Sequence, residues 1–137
     1  PLSYGAERSP TAEWTATSSG CCLLRPAGHG VGMSAATLGR VQDNNIKDIN
    51  NMGAAMAPAS AATLLHYLAD THAELRDFDC IYTGDLGLVG SQMLRELLAA
   101  EGLLLKNHAD CGCLLYDAGE QRVKSGGTGA GCCAAVL

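Results

Sequence analysis

Apolar positions along the chain follow two rhythms. From about Ala54 to Thr71, Met56, Ala59, Thr63, Leu64, Tyr67 and Leu68 recur at helical spacing among strong helix formers, predicting a helix capped by Asn50 or Asn51. Pro58 is compatible with it only near the first turn, because proline lacks the N–H that an interior turn uses. A second helix is predicted over Leu88 to Glu101, with Val89, Met93, Leu94, Leu97 and Leu98 on one face and Gly102 as the terminating residue. Short β-prone runs are read at Glu13 to Ser18, Cys21 to Arg25, Met33 to Val41, Asp79 to Thr83 and Cys111 to Asp117. Between the third strand and the first helix, Gln42 to Asn51 is rich in Asp and Asn and is read as irregular. The tight turn Gly84-Asp85-Leu86-Gly87 follows the fourth strand. Strands alternating with helices in the second half make the fold class α/β, a layered domain.

Composition narrows the class. The chain has 137 residues, 47% apolar and 17% charged, as in one globular domain with a modest core. Its longest apolar runs, such as Leu103 to Leu105, fall far short of the roughly 20 residues needed to cross a bilayer, and the first residues carry no basic-then-apolar signal pattern. The chain begins in a turn-rich segment and finishes on the apolar run Cys132 to Leu137 with neither a cap nor a polar tail, so the expectation is a single incomplete domain over residues 1–137. The net charge is −5, and the nine Lys and Arg residues are scattered, which argues against a nucleic-acid partner. Seven cysteines, two pairs of them adjacent in sequence, make a poor disulfide framework and fit a reducing compartment.

Three clusters are candidates for chemistry. Gly126-Gly127-Thr128-Gly129-Ala130-Gly131 offers successive backbone N–H groups that attract anions, but lacks the lysine ending of a phosphate loop. Its overlap with a dinucleotide fingerprint lacks a preceding buried strand and an acidic partner, and tight backbone packing is the plainer reading. His108, Asp110, Cys111 and Cys113 are metal-ligand types, yet their spacing is unusual for zinc, so buried packing is expected and no metal site is assigned. Asp85 is either a turn residue bonding its own backbone or a ligand contact.

Four stretches resemble the stage V sporulation protein AD family: Arg8 to Thr15; Ile46-Lys47-Asp48 with Asn51 to Ala59; Tyr82 to Gly87 with Val89-Gly90-Ser91; and Asn107 to Cys113 with the glycine tract 126 to 131. That family looks like a relative of thiolases and ketoacyl synthases, which implies α/β/α/β/α layers built from two similar halves. On that pattern the chain would begin near the end of the first half and stop inside the second, the nucleophilic cysteine would precede Pro1, and catalytic residues would be absent. Gly84 stands where a catalytic histidine is expected and Thr128 where an asparagine is expected. The resemblance implies a non-catalytic protein that binds dipicolinic acid, with or without calcium, for uptake into the developing spore. Its ligand-binding residues would be Met52, Gly84, Asp85, Gly126, Gly127, Thr128 and Gly129. It also implies membrane channel proteins as partners, a homodimer, a place in the forespore or spore beside the inner membrane, and no cofactor. The alternative is an active acyltransferase of the thiolase class.

Overall fold

A computed structural model describes residues 16, 18–26, 28–48, 51–117, 120 and 130–137. Its regular elements are α1 (Met52–Thr71), a 3-10 turn (Leu75–Asp77), β1 (Ile81–Thr83), α2 (Gly87–Ala100), β2 (His108–Asp110), α3 (Cys111–Leu115) and α4 (Ala130–Val136). The strands run parallel, pairing Ile81 with His108, Tyr82 with Ala109 and Thr83 with Asp110. The chain is therefore mixed α/β, with a β1–α2–β2 crossover at its centre.

Local chemistry explains where the helices start and stop. Asn51 Oδ1 accepts from the Ala54 N–H at 3.1 Å, which fixes the start of α1. Pro58 falls in the second turn of α1, deeper than the first-turn placement expected, and the helix runs on through it. At the other end of α2, Gly102 adopts φ +79, and the Gly102 and Leu103 N–H groups return to the Ala99 and Leu98 carbonyls at 3.0 and 2.9 Å. This pair of bonds closes the last turn in the way a left-handed glycine allows.

The core lies between α1 and α2 and gathers Ala61, Leu68, Leu75, Leu86, Leu94, Leu98 and Leu105. Burying such a leucine contributes roughly 1.5–3 kcal/mol, so this cluster dominates the packing energy of the described residues. The buried stripe of α1 is made of Gly53, Ala54, Ala57, Ala61 and Leu68, and that of α2 of Gly87, Gly90, Ser91, Leu94 and Leu98. Both faces are rotated from the large-residue faces expected: Val89 and Leu97 are left partly in solvent, because the helices approach most closely at glycine.

Three expected strands are corrected, and the one expected at 13–18 lies mostly outside the described residues. In 21–25 and 33–41 there is no strand. Leu23, Val31, Leu38 and Val41 are almost wholly exposed. A strand is stabilised by hydrogen bonds to a neighbour, and β-prone residues alone do not supply one. The run 111–117 is also not a strand, since β2 ends at Asp110 and Cys111 opens α3. Asp110 accepts from the Cys113 N–H at 3.2 Å, an N-cap that turns the chain into a helix.

Candidate functional site

The carboxyl ends of β1 and β2 lie side by side, and the residues leaving them build the site. In an open parallel sheet this edge is where ligands are usually met. Asp110 is its hub. Although only 3% exposed, its carboxylate accepts from Thr83 Oγ1 at 2.6 Å, the Leu86 N–H at 2.8 Å and the Gly87 N–H at 3.0 Å, besides that of Cys113. Leu86, the N-cap position of α2, has no side-chain cap of its own. One carboxylate thus caps two helices, and its charge complements the positive end of α2. Its oxygens are spent on protein donors, which explains the packing role of a residue type that also suits metals.

Thr83 links this hub to His108. The imidazole Nε2 stands 2.8 Å from Thr83 Oγ1, while Nδ1 faces Arg95 Nη2 at 3.4 Å. Because the Thr83 hydroxyl donates to Asp110, the tautomer that satisfies the chain carries its proton on Nε2 and accepts from Arg95 on Nδ1. Burial, then the Arg95 charge, lowers the His108 pKa below 6.5, with Asp110 opposing. An imidazole kept neutral in the folded state contributes stability that is complete above its unfolded value. That stability is lost as pH falls below about 6.5 toward the lowered folded value. The full-length protein is therefore expected to lose denaturation free energy between about pH 7.5 and pH 5.5. His108→Gln, which keeps a donor to Thr83 and cannot titrate, should show a shallower slope. An unchanged slope in that variant would assign the loss to other groups.

Gly84 and Asp85 turn away from this network toward α4. A Cβ on Gly84 would lie 3.1 Å from Cys133 Sγ, and Cys132 Sγ donates to Asp85 Oδ1 at 3.7 Å. Asp85 is 1% exposed, so its carboxylate is covered by its neighbours and does not open to solvent. Tyr116, after α3, also meets Cys132, and burial, then Cys132, then Asp85, raises its phenol pKa. Burial, with Cys133 next in weight, pushes the Cys111 thiol up to about 11, and burial followed by Asp110 does the same for Cys113. Thiols so placed are mostly protonated near neutral pH and are weak nucleophiles there.

Of the residues assigned to a ligand from sequence, Gly84 and Asp85 come together with α4, the helix that follows the glycine tract. Met52 is partly exposed at the first turn of α1, whose Gly53 abuts the Leu86 carbonyl of the same turn. Gly126, Gly127, Thr128 and Gly129 lie outside the described residues. Sequence reasoning missed the roles of Asp110, Tyr116, Cys132 and Cys133. An N-cap pattern at Asp110, directly before Cys-Gly-Cys, was the signal available. A separate groove of about 300 Å³ is bordered by Arg95, Ala99, Leu104 and Lys106 and shares no lining residue with the Gly84–Asp85 turn. Among the described residues no helix is long and apolar enough to cross a membrane.

The family model for stage V sporulation protein AD matches residues 1–137. The curated stage V sporulation protein AD of Bacillus subtilis (strain 168) is 38% identical over 137 residues, covering 99% of this chain and 40% of that protein. The chain therefore spans well under half the length of this relative.

Proposed function

The chain belongs to the stage V sporulation protein AD family, and from that membership we propose that it forms part of a non-catalytic, thiolase-like protein that binds dipicolinic acid for uptake into the spore. The observation that carries the reading is at Gly84. Where a thiolase relative would hold a histidine, this chain has no side chain, and the Cys133 thiol lies 3.1 Å from where a Cβ would be. With no side chain at that position there is no proton-transfer group there, which disfavours thioester condensation.

Dipicolinate is a flat ring with two carboxylates, and its recognition requires hydrogen-bond donors for each. In this reading the N–H groups of Gly126 to Gly129 and the Thr128 hydroxyl supply them, with Met52 as an apolar wall. Asp85, buried against Cys132, acts by holding α4 beside the Gly84 turn. That role removes the difficulty of an acidic side chain facing a dianion. Calcium would bridge any remaining acidic contact. Membrane channel proteins of the spore, a homodimer and a location beside the inner membrane belong to the same proposal.

Two variants test it by titration of the full-length protein. Gly127→Val should weaken dipicolinate binding roughly ten- to hundredfold by blocking one charge-assisted contact. Asp85→Asn keeps the acceptor used by Cys132 and should change affinity far less. Normal binding by the first and loss by the second would transfer recognition to Asp85. Thioester condensation at on the order of 1 per second or faster would instead establish the acyltransferase reading.

A further inference from the structure

The groove beside the second half of α2 is built by two segments. Arg95 and Ala99 stand one turn apart on the same side of the helix, and residues 104–106 lie against them on the way to β2. Burial alternates along that approach: Leu105 belongs to the core, while Leu104 and Lys106 on either side of it are exposed. The groove of about 300 Å³ therefore has an apolar wall at Ala99, Leu104 and Leu105 and two cations, Arg95 and Lys106, in its lining.

Charge is spread unevenly here. The whole chain carries −5, yet the lining sets two positive side chains against one negative. The negative one, Glu96, accepts from Gln92 Nε2 at 2.7 Å. Among the described residues neither Arg95 nor Lys106 is in an ion pair. Arg95 turns one of a guanidinium's five N–H donors to His108 Nδ1 at 3.4 Å, which leaves the rest of the fork able to hold an oxyanion. An apolar body attached to that anion would cover Leu104 and so add burial to a charge-assisted contact.

We infer that this groove binds small amphiphilic acids free in solution, with the carboxylate between Arg95 and Lys106 and the apolar body along Ala99, Leu104 and Leu105. At roughly 30 Å³ for each water-sized group, about 300 Å³ holds about ten non-hydrogen atoms. That is the size of a medium-chain fatty acid and far below that of a whole lipid. The site shares no residue with the Gly84–Asp85 turn and does not depend on the ligand proposed there.

The experiment titrates the full-length protein calorimetrically with octanoate, which matches the groove in size, and maps lysine acetylation by limiting acetic anhydride with and without it. Saturable binding with a Kd of about 1 mM or tighter is expected, and at about ten times that concentration Lys106 should be acetylated roughly tenfold more slowly. Acetate, which lacks the tail, and 1-octanol, which lacks the charge, should each bind at least about tenfold more weakly. Arg95→Gln, at an exposed position, should fold normally and weaken octanoate about tenfold. Absence of saturable binding below about 10 mM, an unprotected Lys106, or acetate or 1-octanol binding as tightly as octanoate would overturn the inference. All three are read on the unmodified sequence, whatever the folding of the variant. Normal octanoate binding by folded Arg95→Gln would overturn it as well. Protection of Lys106 by phosphatidylglycerol vesicles and not by octanoate would make this face a membrane contact and overturn the small-acid assignment.

Discussion

Asp110→Ala is expected to destabilise the full-length protein by about 3–5 kcal/mol, among the largest effects of any single substitution in this chain. Removing the carboxylate leaves the Leu86, Gly87 and Cys113 N–H groups without their acceptor and frees the Thr83 hydroxyl. Each backbone donor left buried and unsatisfied costs roughly 1–3 kcal/mol, less whatever water recovers. The site is 3% exposed, so recovery should be small without local opening. Asp110→Asn retains one acceptor oxygen but turns an amide toward the remaining donors, and should lose roughly half as much. Chemical denaturation of both variants checks the ordering. A loss below about 1 kcal/mol in the alanine variant would show that α2 and α3 do not depend on this shared cap.

Gly53→Ala should be nearly as damaging, although alanine favours a helix by about 1 kcal/mol over glycine. An added Cβ would lie 2.0 Å from the Leu86 carbonyl oxygen and 3.1 Å from the Gly90 nitrogen. Both are backbone atoms, so relief requires α1 and α2 to move apart and their leucine cluster to loosen. A net loss of about 2–4 kcal/mol follows from comparable overpacking. Gly90→Ala meets the same obstacle from the other side, 2.8 Å from the Gly53 carbonyl oxygen. The double variant should therefore cost less than the sum of the two, since the helices need spread only once. Gly32→Ala, with nothing within 4 Å of the added carbon, serves as the near-neutral comparison in the same thermal or denaturant series. Equal stabilities for the Gly53 and Gly32 variants would contradict the close glycine crossing.

The sequence made the local features legible and the non-local ones much less so. Both long helices, the Asn51 cap and the stop at Gly102 follow from spacing and end chemistry within one or two turns. The buried faces were harder to read. Large apolar residues such as Val89 and Leu97 advertise a face, whereas the contact is set by Gly53 against Gly90, which only the approach of two helices reveals. Strands at 21–25 and 33–41 were read from β-prone residues, but whether such a run pairs depends on a neighbour far away in sequence. The Gly84–Asp85 turn was recognisable from its residues. The convergence of Asp110 with Leu86 and Gly87, or of Cys133 with Gly84, depends on the parallel register of β1 and β2 and on the placement of α4. A neighbourhood of Cys111 and Cys113 that suits a metal by residue type turned out to be organised around a helix cap.

The central proposal is that the protein, without a proton-transfer group at Gly84, binds dipicolinate and does not carry out condensation. Isothermal titration of the full-length protein with dipicolinate, with and without calcium, tests it most directly. Saturable one-site binding, weakened by Gly127→Val and largely preserved in Asp85→Asn, is the expected result. No heat of binding under either condition, in protein shown to be folded, would contradict it.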